Sequence, residues 1–244
     1  VNLELAYDYM NFLYRDRNNK SASRARKCSS LKGFFKYITN NKHLLDTNPV
    51  EQLESPKNKK ALPKYLTLEQ SIELLNAVDG NNKQRDYCIL TLFLNCGLRV
   101  SEMAGLNYND IHSDGTMRVV GKGNKERQVP LPKFTIKRLK DWIECRGTFK
   151  GCIFVQIRKD ETVTNQGLTG CSIYNICNEY VEALGMKHWS PHDLRRTCAS
   201  KLIDMGFALT SVRDYLGHSS ISTTQLYDKS SSNRLNEIAD KIKL

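Results

Sequence analysis

Ser190-Pro191-His192-Asp193-Leu194-Arg195-Arg196-Thr197, then Leu216-Gly217-His218, then Ser222-Thr223-Thr224-Gln225-Leu226-Tyr227, form the stretch on which the reading of this chain turns. Serine before proline, with aspartate two residues further on, sets a helix start: Ser190 at N-cap, Pro191 at N1 and Asp193 at N3. His192 then falls at N2, and Arg195, three residues on, shares its face. Free N–H groups and the dipole already favour an anion there, and the imidazole and guanidinium add to it. Ser222–Gln225 is a second capping box, stapled by Ile221 and Leu226, so Tyr227 sits one turn inside a well-fixed helix. The stretch is suited to hold a phosphate and attack it. Taken alone it also fits two capped helices with solvated polar faces.

Charge points the same way. Lysine and arginine total 37 against 26 aspartate and glutamate, a formal net charge of +11 over 244 residues, which favours a polyanion such as nucleic acid. The basic residues cluster. Ser21–Lys27 places Arg24, Arg26 and Lys27 in the first half of a helix, where they suit DNA phosphates. Residues 51–66 read as a proline-punctuated basic linker, with Lys59 and Lys60 near its middle. No apolar run approaches the roughly 20 residues of a membrane span, and the N-terminus lacks signal-peptide form, so a cytoplasmic protein without membrane contact is expected. None of the eight cysteines forms a Cys-x-x-Cys pair or a zinc spacing with histidine, so reduced buried thiols and no metal are expected. With Val1 rather than Met at its start, the chain is expected to be either a fragment or an expression truncation.

The expected fold is mainly α with a small antiparallel β-sheet. Two helices are expected over residues 1–41, with Leu5, Tyr9 and Leu13 striping the first beside Ala6 and Met10, and Leu31, Phe34, Phe35 and Ile38 striping the second. Thr67-Leu68-Glu69-Gln70 caps a helix to about Ala77; an apolar helix over 87–95 stops at Gly97; Ser101 is placed to cap a short one. Asp110–His112, Thr116–Val120 and Arg127–Leu131 read as a three-stranded sheet with a lysine-rich hairpin tip. Helices are expected at 134–145 and 172–184, with a short strand over Cys152–Gln156 between them. Asn233–Leu244 carries Leu235, Ile238, Ala239 and Ile242 at amphipathic helical spacing.

In chain order these motifs resemble the tyrosine recombinase family, the phage-type integrases and Xer recombinases. Cys96-Gly97-Leu98-Arg99-Val100-Ser101-Glu102 looks like its first arginine motif, and Val120–Arg127 its lysine hairpin. His192-Asp193-Leu194-Arg195 matches His-x-x-Arg, and Leu216-Gly217-His218 with Tyr227 completes the set. The likeness runs from about residue 20 to the C-terminus; each motif alone is weak, but six in order are specific. It implies a site-specific recombinase that cuts and rejoins double-stranded DNA through a 3′-phosphotyrosine, without metal or ATP. Tyr227 would be nucleophile, Arg99 and Arg195 the phosphate clamp, Lys122 the acid for the leaving 5′ oxygen, His192 the base or hydrogen-bonding partner and His218 a phosphate ligand. Glu102 would orient these groups, and Lys125 and Arg127 would contact the DNA backbone.

The resemblance also implies residues 1–50 as part of a helical core-binding clamp, two helices where the family usually has about four. Residues 67–232 would be the catalytic domain, and 233–244 a C-terminal helix exchanged with a neighbour in a homotetramer on two sites, with room for an accessory protein. No catalytic position is substituted, so an active enzyme is expected. The competing readings are a type IB topoisomerase-like relaxing enzyme and a non-catalytic DNA-binding regulator.

Overall fold

Helix α4 (Lys83–Cys96) is the axis of the larger unit in the computed structural model, which describes residues 1–57, 64–121, 123–147, 149–186 and 189–217. Cys88 through Leu94 are buried without interruption, so this apolar part of the helix is covered on all sides. It ends as its sequence requires: Gly97 takes the left-handed conformation at φ 57°, and its N–H donates to the Phe93 carbonyl at 3.1 Å.

Around α4 pack α3 (Leu68–Asn76), α6 (Lys133–Arg146), α7 (Gly170–Ala183) and α8 (Pro191–Asp204). Helix α5 (Val100–Gly105) follows Gly97 directly, and α9 (Leu209–Leu216) packs on α8. The Thr67–Gln70 capping box forms as expected. The buried indole of Trp142 on α6 donates to the Ile153 carbonyl at 2.9 Å, a partner that a buried indole needs.

The β-structure differs from the three-stranded expectation. Strands β1 (Thr116–Val120) and β2 (Glu126–Pro130) form an antiparallel hairpin, but only one bridge, Ile111 to Met117, represents the third strand. The backbone before it is curled instead: Tyr108–Asp110 is a 3₁₀ turn in which the Asp110 carboxylate accepts from the Asn107 N–H and binds Arg118. A second two-stranded sheet pairs β3 (Val155–Ile157) with β4 (Val163–Gly167). The Val-Thr-Asn-Gln-Gly sequence of β4 lacks the apolar alternation that marks a strand.

The chain divides into two compact units, Val1–Leu62 and Pro63–Leu244. In the smaller, α1 (Leu3–Arg15) buries Ala6, Met10 and Leu13, while Leu5 and Tyr9 are exposed, so the buried face is rotated from the expected stripe. On α2 (Ser21–Asn40), Cys28 and Phe35 are buried and Phe34 faces outward. Val50 and Leu53 complete this core, and Leu66 lies in the core of the larger unit, so both ends of the stretch read as linker are packed. Residues 58–63, with Lys59 and Lys60, lie outside the described residues. Among the described residues no helix is long and apolar enough to cross a membrane.

Candidate active site

Ser190 and Asp193 fix the start of α8: the Ser190 N–H and hydroxyl both donate to the Asp193 carboxylate, at 2.9 and 2.7 Å. Arg196 holds the other carboxylate oxygen at 2.9 Å. With that turn locked, His192 keeps an exposed edge while Arg195 is 3 % exposed and directed inward. Partial burial, then Arg196 and Arg195, depress the His192 pKa below the ordinary imidazole value, which leaves the ring neutral near pH 7 and able to accept a proton. Arg195 is lowered to about 10 by burial and then by Arg99, and remains cationic at neutral pH.

Glu102 is the hub. The first turn of α5 begins at Arg99 rather than Ser101, because Glu102 stands at N3 and accepts the Arg99 N–H at 2.8 Å. The same carboxylate pairs with the Arg99 guanidinium. It accepts both terminal nitrogens of Arg127, at 2.9 and 3.0 Å, and stands 3.7 Å from Arg195. Its side chain is fully buried. Burial alone would raise the carboxyl pKa, but hydrogen bonds from Arg127 and the Arg99 backbone outweigh it and hold the group at about 2.

The three guanidiniums also grip the end of α9. Arg127 Nε donates to the Tyr215 carbonyl at 3.4 Å, Arg195 to that of Leu216 at 2.8 Å, and Arg99 to that of Gly217 at 2.7 Å. These are carbonyls that the helix C-terminus leaves without helical partners, and cations are favoured there. Arg195 also donates to the Gly97 carbonyl.

Arg99, His192 and Arg195 line one cavity of about 650 Å³, with Ser101, Gly170 and Pro191. Lys122, His218 and Tyr227 lie outside the described residues. Their described neighbours reach the same cluster, however. A Cβ on Gly121 would stand 3.4 Å from Glu102 Oε1 and 3.9 Å from Arg99, and one on Gly217 would stand 2.9 Å from Arg127. Among the described residues no His, Cys, Asp and Glu side chains group as metal ligands.

The chain matches the model of the phage integrase family over residues 64–234. Two curated relatives are tyrosine recombinases XerC. That of Caldanaerobacter subterraneus subsp. tengcongensis is 37% identical, aligned over 99% of this chain and 68% of its own length. That of Corynebacterium glutamicum is 36% identical over 93% of this chain and 73% of its own. The chain belongs to the phage integrase family. Solved structures with the same fold include XerH bound to a palindromic difH substrate in a post-cleavage complex, TM-score 0.76, 21% identical, covering 99% of this chain and 72% of that one. The Tn1549 transposon integrase bound to transposon right end DNA has TM-score 0.74 at 18% identity, covering 98% and 86%.

Within this member of the phage integrase family, the basic residues expected to touch DNA separate. Arg26, Lys27 and Lys125 are exposed, whereas Arg24 stacks on the Tyr14 ring with its carbon 4.5 Å from the centroid. Arg127, expected on the DNA backbone, is turned inward to Glu102. Strand alternation carries that signal: Arg127 shares its face of β2 with buried Val129, two residues on.

Proposed function

We propose that this protein is a site-specific DNA recombinase in which Tyr227 attacks the scissile phosphorus, forming a 3′-phosphotyrosine and releasing a 5′ hydroxyl. The observation that carries the reading is the convergence of Arg99, His192 and Arg195 on one cavity beside the Glu102 hub. Attack builds charge on the nonbridging oxygens, and two preorganised guanidiniums answer it there. A tyrosine hydroxyl, ordinarily of pKa about 10, needs that cationic surround and an acceptor for its proton. Neutral His192 supplies the acceptor. Lys122 protonates the departing oxygen, and His218 binds the phosphate. Because the phosphotyrosine retains the bond energy, rejoining by the 5′ hydroxyl of a second strand needs neither metal nor ATP. The relatives are recombinases by name, which favours strand exchange over relaxation.

The test is direct. The protein is incubated with nicked genomic fragments in EDTA and denatured, and the surviving adducts are sequenced as both peptide and DNA. The expected result is a Tyr227 peptide on a DNA 3′ phosphate, with the DNA ends sharing one sequence. Absence of an adduct, or attachment at another residue, rejects the reading.

Residues 1–50 and the exposed Arg26 and Lys27 are assigned to gripping the duplex, and residues 67–232 to catalysis. Residues 233–244 are assigned to a neighbouring subunit in a tetramer. That assignment is supported by an apolar groove of about 1390 Å³ in the larger unit, lined by Leu68, Ile72, Phe134, Met205 and Phe207, all exposed. A groove of that size suits a short amphipathic helix. Deleting residues 233–244, or the change Phe207→Glu, is expected to preserve DNA binding but abolish four-subunit complexes on paired sites, measured by light scattering. Complexes that persist in both variants would remove the assignment.

A further inference from the structure

We infer that Arg127 is a positioning residue for strand cleavage: it sets the poses of the phosphate-binding arginines through Glu102 and through the last turn of α9. The inference rests on the active-site reading above. Arg127 has no place in the cavity lining. Both its terminal nitrogens go to Glu102, and Nε reaches the Tyr215 carbonyl. One side chain therefore ties together β2, whose hairpin leads to Lys122; α5, which begins at Arg99; and the α9 terminus, which immediately precedes His218.

The geometry shows what would be lost. Three consecutive carbonyls, Tyr215, Leu216 and Gly217, each take one of the three arginines. Arg127 fills the space against Gly217 so closely that a Cβ there would lie 2.9 Å from one guanidinium nitrogen and 3.0 Å from the central carbon. Without Arg127, Glu102 loses both bonds of a fork–fork pair and keeps Arg99 and the more distant Arg195. Its carboxylate is then free to turn, and Arg99 and Arg195 turn with it. Lysine cannot replace the fork, since it offers one point charge where two parallel donors are needed.

The experiment measures single-turnover cleavage at saturating DNA by wild type, Arg127→Lys and Arg127→Ala. The substrate is the nicked duplex recovered in the adduct experiment, made with either a phosphodiester or a methylphosphonate at the scissile position. A methylphosphonate carries no nonbridging charge, so its cleavage depends less on arginine placement. On the phosphodiester, both variants are expected to cleave about 100-fold more slowly than wild type, the scale of a misplacement near 1 Å, with unchanged DNA affinity. On the methylphosphonate the deficit is expected to shrink to about tenfold or less. Arg127→Lys keeps the charge and guards against a variant that fails to fold. Three results would overturn the inference: wild-type-like cleavage by Arg127→Lys, a deficit equal on both substrates, or a deficit lying in DNA affinity. Absence of a wild-type adduct would instead sink the active-site reading itself.

Discussion

Glu102→Gln is expected to destabilise the protein by about 4 kcal/mol and slow cleavage by at least about 1000-fold. The carboxylate is fully buried with three guanidiniums around it, and among the described residues it is the negative group that pairs with all three. Glutamine keeps the shape but not the charge, and turns an amide N–H₂ toward donors. Breaking a buried pair in this way leaves uncompensated cations, which costs more than the pair itself contributed. Acid titration separates this from a packing defect. In the folded protein the arginine and backbone partners hold the carboxyl at about 2, below the 4.5 of an ordinary glutamate side chain. Above the higher value both states are ionised and the stabilisation is fully present. As pH falls toward 2, the unfolded chain binds a proton that the folded chain excludes, and about 3 kcal/mol drains away. Urea melts of wild type and variant between pH 7 and pH 2.5 should therefore converge as acid is added. A stability gap that stays constant over that range would show that the charge of Glu102 is not what holds the cluster. Loss of cleavage should follow at every pH, because Arg99 and Arg195 depend on the same carboxylate for their placement.

What was legible in the sequence was local. The capping boxes at Thr67 and Ser190 and the stop at Gly97 needed only residues three or four apart, and each formed where expected. His192 and Arg195 share a helix, so their relation was readable from spacing. Arg99 and Glu102 are likewise three apart, and an orienting role for Glu102 was within reach. That Glu102 also takes Arg127, across 25 residues of chain, was not. A charged residue in a lysine-rich hairpin reads as surface until the alternation of β2 is followed inward. The small antiparallel sheet formed as a hairpin, but its expected third strand did not, for a related reason: the curl at Tyr108–Asp110 is stabilised by the Asp110 carboxylate, and side-chain capture of backbone competes with strand pairing. On α1 the spacing was right but the face was set by what packs there, Cys28, Phe35, Val50 and Leu53, which no period can reveal.

Gly97→Ala is expected to cost about 3 kcal/mol, far more than an alanine placed at an ordinary glycine, and the excess is tertiary. The backbone at φ 57° accounts for about 1 kcal/mol of it. The remainder is steric: a methyl group would overlap the Leu216 side chain and press on Cys198 at 3.3 Å, where overpacking costs about 1–3 kcal/mol. Gly80 supplies the control, since it has φ 83° but nothing within 4 Å of a built Cβ. Gly80→Ala should cost only the backbone share, about 1 kcal/mol, and leave cleavage untouched. Gly97→Ala should also slow cleavage, because the Gly97 carbonyl receives Arg195 and Leu216 lies one residue before the carbonyl that receives Arg99. Denaturant melts of Gly97→Ala, Leu216→Ala and the double variant decide the cause. If close approach to Leu216 is the source of the excess, the double variant should be more stable than the sum of the singles by about 1–2 kcal/mol. Strict additivity would leave the cost to the backbone and to the Cys198 contact, with none from Leu216. The close approach of Gly97 to Leu216 would then have no part in holding Arg195 against the cavity.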